Sequence, residues 1–176
     1  MLTRSFPVSY IVSLRNPLSV AKSLARRDGF PKTKALWLWL IHNVRIVSET
    51  AAAFPIVVDY DELMDDPSRQ LERVAHFLSL KVKRDVAIVY CSEFLDPALR
   101  HTRFSGDDIR ADADCDPIVF EVYEELRAQS VTFSPPNPVR WKQKASKWQQ
   151  SLERISRFLL WDWRPPAPDG RWTSKC

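Results

Sequence analysis

The pattern of apolar and polar positions divides the chain into elements. Val8 to Leu14 is an apolar run broken only by Ser9 and Ser13, which predicts a short buried strand. Asn16-Pro17 then supplies a cap and a first-turn proline for a helix reaching about Arg27, and Asp28-Gly29-Phe30-Pro31 breaks it. From about Lys34 to Ala53 the sequence predicts a long helix, apolar almost all round near Trp37 and Trp39 and therefore deeply packed. Phe54-Pro55 ends that helix, and Ile56 to Tyr60 predicts a second strand. Asp66-Pro67 starts another helix, with Leu71, Val74, Ala75 and Leu78 on one face. Residues 83–94 predict one more helix. Ser105 to Asp116 is acidic and without periodicity, which predicts a loop, and Asp116-Pro117 repeats the cap-and-proline start for a helix carrying Ile118, Val119, Val122, Tyr123 and Leu126.

Strands separated by helices imply a parallel sheet flanked by helices, so the expected class is α/β and helix-rich. The stretch Phe133-Ser134-Pro135-Pro136-Asn137-Pro138 is too rich in proline for a helix or a central strand. It predicts a linker over residues 133–139, between a body at 1–132 and a tail at 140–176. Charge changes at the same place. The tail holds nine Lys or Arg against three Asp or Glu, whereas the body, at seventeen against nineteen, is slightly acidic. Trp148, Leu152, Ile155 and Leu159 mark an amphipathic helix in the tail, continued by Trp161. Such a helix either lies on an acidic protein or membrane surface or covers an apolar face of the body.

Composition narrows the chemistry. Three glycines against thirteen prolines leave few positions for a glycine-rich phosphate loop. Cys91, Cys115 and Cys176 are odd in number and widely spaced, which argues against a disulfide framework or a metal site. With no leader-like start and no apolar run of membrane-spanning length, the expected location is cytoplasmic, with peripheral membrane contact through the tail as the alternative.

The segment richest in chemistry is Tyr10 to Ser23. A buried strand delivers Arg15 at its end, and a helix carries Ser23 about two turns in. Ligands of open α/β sheets bind beyond the carboxyl ends of strands, where helix amino termini favour anions, and Arg15 and Ser23 would add a forked cation and a hydroxyl. The bland alternative is an ordinary helix start with a surface Arg and a buried Ser. An Arg followed eight positions later by a Ser is common by chance.

The order of segments is more specific. Strand, Arg15-Asn16-Pro17, Ser23, long helix, second strand, Tyr60-Asp61-Glu62-Leu63 and the Asp66-Pro67 helix follow one another as in the sulfotransferases that use 3′-phosphoadenosine 5′-phosphosulfate, and the chain resembles that family over roughly residues 8–104. Leu24 to Phe30, Leu36 to Val44 and Phe94 to Phe104 are similar to its bacterial branch. The resemblance implies a partial P-loop-like fold, with Arg15 and Ser23 on the donor's 3′-phosphate and Tyr60 against its adenine. It also implies sulfuryl transfer to an unidentified hydroxyl acceptor, with no metal. Arg100, His101 and Arg103 form a basic cluster that either reaches the 3′-phosphate or is simply solvated.

Family members carry a glycine-containing loop with a Lys for the 5′-phosphosulfate, and usually a His or Glu base, upstream of the matching strand. Only seven residues precede that strand here, so the sequence predicts a chain that is incomplete for catalysis, and no catalytic residue is assigned. Two other roles remain open: a nucleotide-binding remnant, and an interaction module acting through the Trp-rich tail. His42 lies on an apolar helix as a core histidine, and His76 on a solvated face. Asp61, Glu62, Asp65 and Asp66 read as helix-capping and solvated acids. No nucleic-acid surface is expected, because Trp37 and Trp39 belong to a helix and the other tryptophans to the tail.

Overall fold

The computed structural model describes residues 8–159 except Pro97 and Leu99, with side chains described to Glu153. It is helix-rich around one small parallel sheet. Strand β1 (Ile11–Leu14) leads into helices α1 (Pro17–Asp28) and α2 (Lys32–Thr50) and returns as β2 (Ile56–Asp59). The two strands pair in parallel with Ile11 opposite Ile56 and Leu14 opposite Asp59. Then come α3 (Tyr60–Asp65), α4 (Pro67–Phe77), α5 (Arg84–Val89) with a π-helical turn at Tyr90–Phe94, α6 (Gly106–Ala111), α7 (Pro117–Ser130) and α8 (Pro138–Leu159). The α/β class is therefore as expected.

Most helix starts follow the sequence signals. The side chains of Asn16, Asp66 and Asp116 accept the N–H of Leu18, Arg69 and Ile118, each just ahead of a proline that has no N–H to satisfy. Gly29, at φ 66°, closes α1 in the left-handed conformation with its N–H on the Ala25 carbonyl. Helix α2 runs through the middle of the core, with Leu36, Trp39, Leu40, Val44 and Val47 buried against α1, α7 and α8.

Four expectations need correction. The segment expected as a loop at 105–116 contains α6, because Ser105 and Asp108 form a reciprocal capping box and Ile109 is buried behind it. Tyr60 is not the last residue of the second strand but the first of α3, since the Asp59 side chain accepts the N–H groups of Asp61 and Glu62 and turns the chain there. His42, expected as a core histidine, is exposed on α2, whereas the helix expected at 83–94 is present as α5 continued by the π-helical turn to Phe94.

The fourth correction concerns α4, whose buried residues are Gln70, Arg73 and Ala75, while Leu71 and Val74 are only partly covered. The surface that α4 meets is polar. Arg73, fully buried, donates to the carbonyls of Val57 (3.2 Å), Gln129 (3.0 Å) and Thr132 (2.7 Å) and to the Gln70 amide oxygen. Gln70 and Arg69 take the carbonyls of Ser130 and Val131. The open carbonyl end of α7 is thus closed by side chains of α4, with a cation where the helix dipole is negative.

Residues 133–137 link α7 to α8 without regular structure, and α8 adds Trp141, Ala145 and Trp148 to the same core as the strands and α2. Its basic residues face the acidic side of α7: Lys147 and the Trp148 indole N–H both meet Glu121, and Lys144 and Arg140 pair with Glu125. The hydrogen bonds from Lys147 and Trp148 hold the Glu121 carboxyl below its ordinary pKa. The described part of the basic segment therefore covers the body's own apolar and acidic face; Trp161 lies outside the described residues, as do the side chains of Ile155 and Leu159. Among the described residues no helix is long and apolar enough to cross a membrane.

Candidate functional site

The carboxyl ends of β1 and β2 lie side by side, which brings Arg15 and Asp59-Tyr60 to one edge of the sheet. Arg15 is held at both its main chain and its side chain. Its carbonyl accepts the Trp39 indole N–H at 2.9 Å, and Trp39 is fixed in the core edge-on to Tyr123. Its guanidinium carbon sits 4.7 Å from the centroid of the Tyr60 ring, a cation–π geometry. The Arg15 Nε is buried and makes no hydrogen bond.

Asn16, buried beneath, ties this corner together: its oxygen caps α1 and its amide donates to the Phe104 carbonyl at 2.9 Å. The amino end of α1 is consequently less open than the sequence suggests. Pro17 has no N–H and the N–H of Leu18 is taken by Asn16, so two of the donors a helix start can offer are missing there. Ser23 is exposed on α1. Ser19, one helical turn nearer to Arg15 and on the same face, is buried with its hydroxyl unpartnered. Sequence reasoning passed over Ser19, although the Ser19/Ser23 spacing of four was visible.

The corner is short of hydrogen-bond partners. Arg15 Nε, Ser19 Oγ, Asp59 Oδ2 and Asp61 Oδ2 are all buried without one, and all four come from the strand ends or the first turns that follow them. Buried polar atoms are satisfied in the great majority of cases, so these four stand out. Asp59 is the most perturbed of these groups. Burial pushes its carboxyl up to about 6, outweighing the N–H groups of Glu62 and Asp61 that it accepts. Burial also raises the Tyr123 hydroxyl above its ordinary pKa, with the Asp59 charge adding to the effect.

The basic cluster has different neighbours from those of Arg15. Arg100 lies between Asp61 (2.8 Å) and Asp65 (2.6 Å), and Arg103 reaches Asp65 at 2.9 Å. Burial would lower the Arg100 pKa, but the hydrogen bonds that Arg100 donates to Asp65 and Asp61 outweigh it and raise it. These two cations hold the 100–104 segment against α3. His101 is exposed beside them. Between them, Tyr123 and Arg127 lies a polar cleft of about 180 Å³. The structure thus joins Arg15 to Tyr60, leaves Ser23 at the surface of α1, and gives Arg100 and Arg103 acidic partners. Among the described residues no group of three or more His, Cys, Asp or Glu is placed to hold a metal ion.

Comparison of the chain with family models, with curated proteins and with solved structures finds no match.

Proposed function

We propose that this chain is a sulfotransferase-family protein whose carboxyl sheet edge binds the 3′-phosphate end of 3′-phosphoadenosine 5′-phosphosulfate. The observation that carries this reading is the pairing of Arg15 with Tyr60 at adjacent strand ends, with the Arg15 Nε buried and free to donate. A phosphate is the ligand such a corner suits best. A guanidinium gives it a fork of donors, and a hydroxyl on the first turn of α1 completes the set. Tyr60, already flat against a cation, offers an aromatic face to an adenine. In this reading Arg15 and Ser19 or Ser23 hold the phosphate, Tyr60 stacks on the base, and the fold is the P-loop-like one of the family. Arg100 and Arg103, committed to Asp61 and Asp65, position the neighbouring segment rather than bind phosphate directly.

The donor supplies an activated sulfonate when bound. The chain's own residues do the anchoring, and no described residue is assigned the acceptor's proton. Anchoring that is equal in the ground and transition states leaves the chemical step unchanged, so residues 1–176 are expected to bind nucleotide without turning it over. The test is calorimetry with 3′-phosphoadenosine 5′-phosphate and with adenosine 5′-phosphate. Preference for the first, lost in Arg15→Ala, is the expected result. Equal affinity for both nucleotides would end this reading.

A further inference from the structure

A second cation stands at the corner where β1 turns into α1. Lys22 is exposed on α1, and its ammonium lies 5.9 Å from the centroid of the Phe104 ring. Phe104 is also the residue whose carbonyl accepts the Asn16 amide, so its main chain is fixed at the amino end of α1. Lys22 starts roughly 9 Å further along the helix axis than Asn16, at 1.5 Å per residue. Helical side chains lean toward the amino terminus, which brings the ammonium back over Phe104. Ser19 lies between the two, one turn before Lys22, buried and with its hydroxyl unpartnered.

Electrostatics make this placement informative. The positive end of a helix dipole disfavours a cation drawn toward it, and Arg26, four residues after Lys22, adds a like charge on the same side. The other cations near Phe104 are matched by acids: Arg100 and Arg103 by Asp61 and Asp65, and Arg127 by Glu62. Lys22 has no acidic partner among the described residues; its contact is the face of Phe104. An anion at the corner would relieve this. A phosphate monoester carries about 1.5 to 2 negative charges at pH 7, so the single charge of Arg15 leaves part of it uncompensated.

We propose that Lys22 is the second cation of the phosphate site, meeting the ligand from the Phe104 side while Arg15 meets it from the Tyr60 side. This rests on reading the corner as a site for a 3′-phosphate, and it adds a residue that neither the strand ends nor the serines of α1 point to. The two cations are held alike. Each lies over an aromatic ring, Arg15 over Tyr60 and Lys22 over Phe104, so both are in place before the ligand arrives. Phe104 in turn is tied to the cap of α1 by Asn16, which couples the position of Lys22 to that of Arg15.

The test is calorimetry of residues 1–176 with 3′-phosphoadenosine 5′-phosphate and adenosine 5′-phosphate, on the unaltered chain and on Lys22→Gln, Lys22→Arg, Arg26→Gln and Arg15→Ala. Lys22→Gln should weaken binding of the first nucleotide by roughly five- to twentyfold, less than Arg15→Ala because the ammonium is exposed, and should hardly change binding of the second. Lys22→Arg keeps the charge and should restore most of the affinity, and Arg26→Gln should stay within about twofold. All these positions except Arg15 are exposed, so the circular dichroism spectrum should be kept. Preference for the 3′-phosphate that Arg15→Ala abolishes and Lys22→Gln leaves intact overturns the role of Lys22 alone. A loss in Lys22→Gln that Arg26→Gln matches reports overall charge and also overturns it. An unaltered chain with no preference for the 3′-phosphate ends the phosphate reading itself, and this inference with it.

Discussion

Two arginines, Arg73 and Arg15, stand beside the same two-stranded sheet in opposite circumstances. Arg73 is sealed in the joint between β2, α4 and the end of α7, where each of its nitrogens finds an oxygen. Arg15, at the strand ends, is fixed through its carbonyl and its ring contact, yet its Nε has no acceptor. A guanidinium whose donors are all used by carbonyls is a structural tie. One that is pinned in place with a donor left over fits the phosphate site proposed above. Their neighbours agree, because the joint around Arg73 is saturated whereas the corner around Arg15 collects Ser19, Asp59 and Asp61 with unpartnered oxygens.

The contrast breaks most visibly at Arg73. Arg73→Met should lower unfolding free energy by about 3–5 kcal/mol, because three backbone carbonyls lose their buried donor, and urea denaturation measures it. Arg73→Lys should recover only part of the loss, since an ammonium cannot fork to Val57, Gln129 and Thr132 together.

The next effect in size belongs to Asp59. Its carboxyl is raised from an ordinary 3.8 to about 6 in the fold. A raised value favours the folded state when the group is protonated, so this contribution is full below pH 3.8 and is lost as pH rises through 6. At neutral pH the buried carboxylate costs on the order of 3 kcal/mol. Asp59→Asn keeps an oxygen to cap α3, so it should match the unaltered chain in acid and exceed it at neutral pH. Parallel unfolding curves at all pH values would contradict this assignment.

Arg15→Ala should act on binding and hardly on folding. Removing a charged donor costs on the order of 1.5–3 kcal/mol, a ten- to hundredfold loss of affinity for 3′-phosphoadenosine 5′-phosphate in calorimetry. Unfolding free energy should move by less than about 1 kcal/mol. A large stability loss with unchanged affinity would make Arg15 a second Arg73. Ser23→Ala sharpens the comparison at its weak end. An exposed hydroxyl should leave stability within about 0.5 kcal/mol and weaken nucleotide binding less than Arg15→Ala does.

What the sequence revealed follows from how local each signal is. Asn16-Pro17, Asp66-Pro67 and Asp116-Pro117 mark helix starts because cap and proline act within three residues, and all three helices begin there. Helix α6 was hidden by its acidic composition, although Ser105 and Asp108 carry the spacing of a capping box. The inner face of α4 was illegible for a different reason. An apolar stripe assumes an apolar neighbour, and α4 meets the bare carbonyl end of a helix about sixty residues further on. The corner was half legible. The strand ends announced Arg15 and Tyr60, but their contact depends on strand register, and the pairing of Arg100 and Arg103 with α3 depends on how a distant segment folds back.

The bond from the Asn16 amide to the Phe104 carbonyl has a kinetic consequence. It joins residues 88 positions apart, and beneath it lies a parallel strand pair whose connection includes two helices. Contacts that distant form only after much of the intervening chain has lost its freedom, so topology of this kind slows folding. The corner around Arg15 should therefore be among the last features acquired during synthesis. A ribosome-bound chain that has not yet exposed Phe104 would present the strand and its arginine without the clasp that holds the turn in place.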